Sequence, residues 1–360
     1  MSRGTAISCH VGMTAGCRAR VQAMRAGLFL AYWPWFTPQE QVELAVLADE
    51  LGLNSVWISE AWGQDAVSVL GLLAGKTERV ALGSGLFQIP ARAPTATAMA
   101  AATLDVLSNG RFRLGLGVSG PQVSEGWYGV PFERPVSRTR EYVDIVRAAL
   151  ARKTVVHEGR EYRVPLEGAK PLKLLAKPVQ KRIPVYLGAV GPKAVEQVGE
   201  IADGWLPFMV SPEHAPTLFE PLDRGLAKAG RSRADIDVAA CTAMAVEDDV
   251  AAARDAVRPW LAFYLGAMGS REKNFYVELA ERAGHGAAAR ECQGAFLDGD
   301  RERAAAALTP ELIDAMALAT TPDALPQRLA AFEGVGVDTL LVVPCGTDRP
   351  RAVRALAEAL

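Results

Sequence analysis

The chain has 360 residues, of which half are apolar, and a formal net charge of -2. Its length and apolar content predict a globular protein with a core large enough for one barrel-sized domain or two smaller ones. Because like charges form no long run, the sequence disfavours nucleic acid or an anionic membrane surface as a partner. A small molecule is therefore the expected substrate.

The five cysteines are widely spaced without a C-x-x-C, and the four histidines form no i, i+3 or i, i+4 pair. This pattern predicts reduced thiols, a cytoplasmic location and no metal site. Residues 1–24 contain no apolar run long enough for a signal peptide or a membrane span, and we expect a disordered N-terminal extension there. A single domain is predicted for residues 25–360.

Strand-like and helix-like segments alternate along this domain. Eight strands read as buried on both faces, at 27–32, 55–59, 80–86, 112–117, 183–187, 204–208, 236–246 and 339–343. An insertion at 153–182 and a long, mostly helical stretch at 248–320 interrupt the pattern. Eight such alternations predict an α/β fold, a TIM-type (β/α)8 barrel with insertions.

Two of these strands end in glycine-rich turns, RFRLGLGVSG at 111–120 and PVYLGAVGPK at 184–193. The second turn continues into a helical pattern with Pro192 at the first helical position. Free N–H groups and the positive end of the helix dipole would then point outward. Two such turns at the same end of neighbouring parallel strands predict a site for a phosphorylated cofactor.

The first turn also matches G-x-G-x-x-G, which would suggest a dinucleotide-binding Rossmann unit. That motif should open a helix at once, whereas we expect about 15 loop residues after Gly120. A tight turn at a strand end is therefore the favoured interpretation.

Polar and aromatic side chains follow the second and fourth strands, on the face that carries the active site of such barrels. Glu60 and Asp65 are candidates for proton transfer. Arg92 lies between two prolines after the third strand, which predicts a rigid, non-helical shelf at the barrel mouth. The alternative is an ordinary loop in which Arg92 is solvated or pairs with a carboxylate. Four aromatic residues are candidates for the substrate pocket, although plain packing explains any one tryptophan equally well: Trp57, Trp62, Trp127 and Tyr128.

Conventional nucleophile arrangements are missing from the sequence, so the reactive chemistry is expected to belong to a cofactor. Three blocks, SVWISEAWG to FQIPARAP (55–94), TAMAAATLD to VPFERP (97–135) and IPVYLGAVGPK to IADGW (183–205), resemble the luciferase-like monooxygenase superfamily. Within it, the chain is most similar to actinobacterial oxidoreductases that use the deazaflavin coenzyme F420. The similarity runs from about Arg25 to the C terminus.

The resemblance implies a barrel that holds the cofactor ring at its C-terminal end, and often a homodimer. A non-proline cis peptide is implied at Gly85-Leu86, under the ring. The positions expected to bind the cofactor are Gly85, Leu86, Gln88, Ser119, Gly120, Gly188, Ala189, Val190, Gly191 and Pro192.

Two departures from the family pattern affect the expected chemistry. Several relatives have histidine after an aspartate at the end of the second strand, where this chain has Ser59-Glu60, and others have asparagine where it has Gln88. Glu60 is therefore the substitute proton donor, with a pKa raised by burial beneath Trp57 and Trp62.

Three functions stay open at this point. The first is hydride transfer between F420 and an organic substrate. The second is an FMN-dependent monooxygenase supplied by a separate reductase, and the third is a non-catalytic flavin-binding protein on the same barrel. The insertion at 153–182 and the region around Gly266 to Tyr276 are expected to form the substrate pocket.

Overall fold

The computed structural model describes residues 23–33 and 35–360. Within them, eight parallel strands follow one another around a barrel: β1 (Arg25–Leu30), β2 (Ser55–Ile58), β3 (Ala81–Ser84), β5 (Phe112–Gly117), β8 (Val185–Leu187), β9 (Gly204–Trp205), β10 (Asp237–Val246) and β12 (Thr339–Pro344). The barrel closes because β12 pairs with both β10 and β1. The predicted TIM-type barrel is confirmed, and each predicted strand has a counterpart. The predicted extension at 1–24 falls, except for its last two residues, outside the described residues.

Four further strands of the described chain lie off this ring. A two-residue strand, β4 (Phe87–Gln88), pairs with β5 just after β3 ends. The insertion contains an antiparallel hairpin of β6 (His157–Glu158) and β7 (Arg163–Val164). The last of them, β11 (Ala317–Thr320), pairs with the C-terminal half of β10.

Helices cover the outside of the barrel. Those up to the seventh barrel strand are α1 (Pro38–Glu50), α2 (Ala66–Ala74), α3 (Pro94–Leu107), α4 (Pro121–Gly126), α5 (Pro135–Leu150), α6 (Pro192–Ile201) and α7 (Ala215–Lys228). Those after it are α8 (Val250–Ala267), α9 (Phe275–Arg282), α10 (Gly286–Leu297), α11 (Arg301–Ala306), α12 (Pro310–Met316), α13 (Leu325–Gly334) and α14 (Arg349–Glu358). No helix of the described chain has the length and apolar character needed to cross a membrane.

The expectation of a loop after Gly120 was wrong. Pro121 begins the short helix α4, for which Gly120 is the N-cap, and the helix ends at Gly126. Proline at the first helical position and glycine at the end allow one short helix there. The Rossmann interpretation still fails, because β5 is the fourth strand of a closed barrel.

Aromatic rings fill the barrel interior where glycines make room for them. Trp57 is fully buried, and its ring meets that of Tyr186 edge-on at a centroid distance of 4.9 Å. A Cβ at Gly83 would lie 2.3 Å from the Trp57 ring, and one at Gly204 would lie 2.1 Å from the Tyr186 ring. Trp57 therefore packs in the core, and its indole Nε1 donates to Ser55 Oγ at 3.0 Å.

Helices α6 and α7 pack closely at Gly225, where a Cβ would lie 1.8 Å from the backbone oxygen of Glu196. We expect Gly225→Ala to lower the free energy of unfolding by about 1–3 kcal/mol, since backbone cannot move aside cheaply. Gly71→Ala in α2 is the matched control. Its Cβ would contact nothing within 4 Å, and it should stabilise the protein by about 0.5–1 kcal/mol. Urea unfolding measures both, and equal effects would contradict the packing account.

Candidate functional site

A cavity of about 730 Å³ opens at the C-terminal end of the barrel strands. Its wall includes the residues that directly follow β2, β3, β5, β8 and β9. All ten positions predicted to bind the cofactor lie in this wall: Gly85, Leu86, Gln88, Ser119, Gly120, Gly188, Ala189, Val190, Gly191 and Pro192. The strand order therefore brings together segments that are up to about a hundred residues apart in sequence.

The bulge after β3 forms one side of the cavity. The Gly85-Leu86 peptide bond is cis, as the resemblance implied. The Leu86 side chain fills space left by two glycines, because a Cβ at Gly117 or Gly188 would lie 2.5 or 2.4 Å from its Cδ1. A Cβ at Gly85 would lie 2.6 Å from the Phe29 ring. The bulge thus depends on small residues in three neighbouring strand ends.

The turn after β8 presents unused hydrogen-bond donors to the cavity. The Gly188 amide donates to the Leu116 carbonyl at 2.9 Å, which anchors the turn on β5. Among the described residues, no acceptor takes the amides of Ala189, Val190 or Gly191. Gly191 is the N-cap of α6 and has no side chain to satisfy the helix end. Free amides and the positive end of a helix dipole together favour an anion at this point.

The turn after β5 lies beside it, because Leu116 in β5 pairs with Leu187 in β8. Ser119 there has a positive φ of 61°, and Gly120 caps α4. The predicted adjacency of the two glycine-rich turns is therefore present.

Gln88 and Ser59 bring unpartnered polar atoms to the same wall. Gln88 is 4 % exposed, yet neither its Oε1 nor its Nε2 has a partner, and Ser59 Oγ is also without one. Buried polar atoms of this kind are costly unless a ligand or water satisfies them. An amide that offers both a donor and an acceptor fits the polar edge of a heteroaromatic ring. Together with the free amides, the wall fits a phosphorylated ring cofactor.

The two predicted acids both bind Arg92. The guanidinium donates to both Glu60 oxygens at 2.6 Å and to Asp65 Oδ1 at 2.8 Å. Glu60 also accepts from the backbone amide of Gln88 at 3.2 Å and from the backbone amide of Ala66 at 3.3 Å. This pairing ties the end of β2 to the segment that follows the bulge. Arg92 is therefore paired with carboxylates and not merely solvated, while the rigid shelf stays a prediction.

Asp65 does not lie in the cavity wall but caps α2, accepting from the Ser68 amide at 2.8 Å. Burial alone would raise its pKa, but the hydrogen bonds from Ser68 and the charge of Arg92 lower it overall. Glu60 does line the cavity, with both its oxygens engaged by Arg92. Proton transfer by Glu60 and Asp65 stays a prediction.

The four predicted pocket aromatics are in different surroundings. Trp62 lines the cavity and is 45 % exposed. Trp127 is 63 % exposed and lies outside the wall, as does Tyr128, whose hydroxyl donates to the Ala61 carbonyl at 3.4 Å. Trp57 belongs to the barrel core.

Five further aromatic residues line the cavity, and the sequence singled out none of the first four: Phe29, Tyr32, Phe208, Tyr264 and Tyr276. Only the last of them falls in a region predicted for the pocket, 266–276, which also contributes Met268, Lys273 and Phe275. No residue of the insertion at 153–182 lines the cavity, so that part of the prediction was wrong. Residues so distant in sequence carry no local signal, and only the barrel order unites them.

Removal of Arg92 tests how strongly the ion pair holds the site. The Glu60 side chain is 3 % exposed, so Arg92→Met should leave a buried carboxylate without a cation and lower the free energy of unfolding by about 3–5 kcal/mol. The double variant Glu60→Gln/Arg92→Met should recover part of this loss. Arg303→Met is the control, because its partner Glu291 is half exposed, and it should cost at most about 1 kcal/mol. Urea unfolding measures all of these variants. If the double variant loses the sum of what Glu60→Gln and Arg92→Met each lose alone, the coupling between Glu60 and Arg92 is contradicted.

Comparisons with known proteins agree with this geometry. The family model for luciferase-like monooxygenases matches residues 10–339. A protein of Mycobacterium tuberculosis with the provisional name coenzyme F420-dependent oxidoreductase is 42 % identical over 92 % of this chain and 99 % of its own. The 5,10-methylenetetrahydromethanopterin reductase of Archaeoglobus fulgidus is 32 % identical over 87 % of this chain and 92 % of its own.

Among solved structures, the coenzyme F420-dependent tetrahydromethanopterin reductase of Methanopyrus kandleri superposes with a TM-score of 0.83. Its sequence is 26 % identical, and the match covers 94 % of this chain and 99 % of that one. The residues matched by the family model include seven of the eight barrel strands in full and both glycine-rich turns. The chain therefore belongs to the luciferase-like monooxygenase family.

Proposed function

We propose that the protein is an F420-dependent oxidoreductase that transfers hydride between the deazaflavin and an organic substrate. The observation that carries this proposal is the set of unpartnered amides at Ala189, Val190 and Gly191 in a wall shared with the bulge at Gly85-Leu86. The F420-dependent relatives, similar over nearly the whole chain, support the choice of cofactor.

Each wall segment has a separate task in this proposal. The amides at 189–191 bind the cofactor phosphate, and the dipole of α6 adds to their attraction. Leu86 supports the ring, while the side-chain amide of Gln88 binds the ring's polar edge. The bound deazaflavin supplies the hydride chemistry, and the barrel orients the reactants and excludes water from them.

FMN is the alternative occupant, since it also joins a phosphate to a planar ring. With FMN the protein would be a monooxygenase, and a separate reductase would supply the reduced flavin. The relatives named above favour F420. A flavin-binding protein without turnover would keep the same phosphate turn.

Fluorescence titration with F420 and, in parallel, with FMN tests the proposal. Tight binding of F420 with weak binding of FMN is expected. Tight binding of FMN alone would contradict it and favour the monooxygenase. Tight binding of F420 without hydride transfer to any compound of a broad carbonyl and alcohol panel would favour the binding protein.

Gly191→Val tests the phosphate site. A Cβ at Gly191 contacts no protein atom within 4 Å, so the fold should tolerate the change while the side chain occupies the space beside the free amides. We expect about tenfold or greater loss of F420 affinity, comparable to loss of one charge-assisted hydrogen bond. Gly71→Val, in an equally open position of α2 outside the cavity, is the matched control. Unchanged affinity in Gly191→Val would rule the site out.

We further propose that the protein forms a homodimer. Large apolar side chains are exposed on α2, on α3 and on the segment that follows the β6–β7 hairpin: Leu72, Met99, Leu107, Leu172 and Leu175. That segment is held on α3, because the Val179 amide donates to Asp105 Oδ2 at 2.7 Å. Leu175 is 92 % exposed in the single chain. Exposed apolar groups spread over adjoining elements are typical of an interface.

Light scattering tests the dimer with the variant Leu172→Glu/Leu175→Glu. The wild-type protein should have the mass of a dimer, and the variant should be a folded monomer, since both side chains are exposed in the single chain. Leu297→Glu on α10 is the control and should stay dimeric. A monomeric wild type, or a dimeric variant, would contradict the proposed interface.

A further inference from the structure

Six aromatic side chains of the cavity wall form what we call the aromatic chamber: Phe29, Tyr32, Trp62, Phe208, Tyr264 and Tyr276. The centroid of the Tyr264 ring lies 4.9 Å from that of Phe208 and 5.0 Å from that of Tyr276. The Tyr32 and Trp62 ring centroids are 6.4 Å apart. These residues come from the ends of β1, β2 and β9 and from α8 and α9. The cofactor residues come from the ends of β3, β5 and β8, and the two groups meet where the Phe29 ring packs against Gly85.

The charged groups of the cavity wall each have a partner or lie at another part of the wall. Within the described chain, the cavity wall contains three charged residues, Glu60, Lys193 and Lys273. Glu60 is neutralised by Arg92, and Lys193 follows Pro192 in the first turn of α6 beside the phosphate turn. The Lys273 ammonium lies over the rings of Phe132 and Phe275 at 5.8 and 5.7 Å. The charge of Lys273 is therefore engaged by two ring faces, and none of the six chamber residues carries a fixed charge of its own.

Three hydroxyl groups are the polar features of the aromatic chamber, on Tyr32, Tyr264 and Tyr276. Burial raises the pKa of Tyr32 and of Tyr276, and the other groups that act on them are neighbouring tyrosines and the Cys241 thiol. All three phenols are thus neutral near pH 7, and each can donate a proton.

The Tyr32 hydroxyl has an acceptor that a ligand can replace. It donates to the Met268 thioether at an O to Sδ distance of 4.0 Å. A thioether is a weak acceptor, so a carbonyl oxygen in the chamber would displace it.

We propose that the aromatic chamber binds an uncharged, largely apolar carbonyl compound and that the Tyr32 hydroxyl donates to its oxygen. This assignment rests on the proposed function, because the reduced deazaflavin is the hydride source. Aromatic walls without a fixed charge favour apolar ligands, and one aligned donor fixes the ligand's orientation.

The reaction balances as the reduction of a carbonyl to an alcohol. A hydride leaves the reduced deazaflavin and forms a bond to the carbonyl carbon, while the π electrons of the carbonyl move to its oxygen. That oxygen takes the Tyr32 proton. The deazaflavin, having lost its hydride, releases one ring N–H proton to solvent, and Tyr32 regains a proton from solvent. The substrate gains two electrons and two protons in total, and the deazaflavin is oxidised.

Calorimetry with four probes of similar size tests the substrate class. Acetophenone, α-methylstyrene, benzoate and trimethylphenylammonium are titrated into the protein saturated with oxidised F420, in which no turnover occurs. We expect acetophenone to bind about tenfold or more tightly than each of the others, because the unpaired donor rejects an isostere without an acceptor. Equal binding of acetophenone and α-methylstyrene, or preference for either ion, would overturn the proposal. The same titrations are repeated without F420. They distinguish failure of the substrate proposal from failure of the cofactor assignment, because they measure probe binding when no cofactor is bound.

Tyr32→Phe tests the donor. The variant should lose the preference for acetophenone over α-methylstyrene, keep wild-type affinity for F420, and reduce acetophenone about 10²–10⁴-fold more slowly with reduced F420. Tyr162→Phe removes a hydroxyl outside the cavity and serves as the control. Retained preference and wild-type reduction in Tyr32→Phe would overturn the role of Tyr32, as would a rate loss confined to Glu60→Gln.

Discussion

The whole site depends on the packing of one side chain, Leu86, against glycines at the ends of two neighbouring strands. A Cβ at Gly117 or Gly188 would collide with it, and one at Gly115 would lie 2.0 Å from the Ser84 carbonyl. Three glycines on two strands therefore allow the chain to leave β3 in a bulge. Two of them also begin the turns that present the free amides. The same packing that shapes the cavity floor thus sets where an anion can bind.

Charge divides the cavity into two parts with different chemistry. Free backbone amides and the N-terminus of α6 supply positive potential at one side without a buried ionised side chain. The aromatic chamber has hydroxyl groups but no fixed charge, and the Glu60 carboxylate next to it is neutralised by Arg92. An anionic cofactor group and an uncharged substrate can therefore be held in one cavity, each by its own type of interaction.

The barrel was predictable from the sequence because its strands are buried on both faces and each ends in a clear turn signal. The phosphate turn was predictable for a related reason, since Gly191 and Pro192 are local signals of a helix start. The roles of Trp57 and Trp127 were not, because an indole looks the same in sequence whether it packs in a core or faces solvent. Tyr32 and Tyr264 lie more than two hundred residues apart, and no local pattern indicates that the barrel brings them together.

A crystal structure of the protein with F420 bound tests the central claim most directly, because it locates every group of the cofactor at once. We expect the phosphate on the amides of Ala189 to Gly191 and the ring against the Gly85-Leu86 bulge. Gln88 should lie at the polar edge of the ring, with the aromatic chamber open beside it. A phosphate bound elsewhere, or a ring inside the aromatic chamber, would contradict the account.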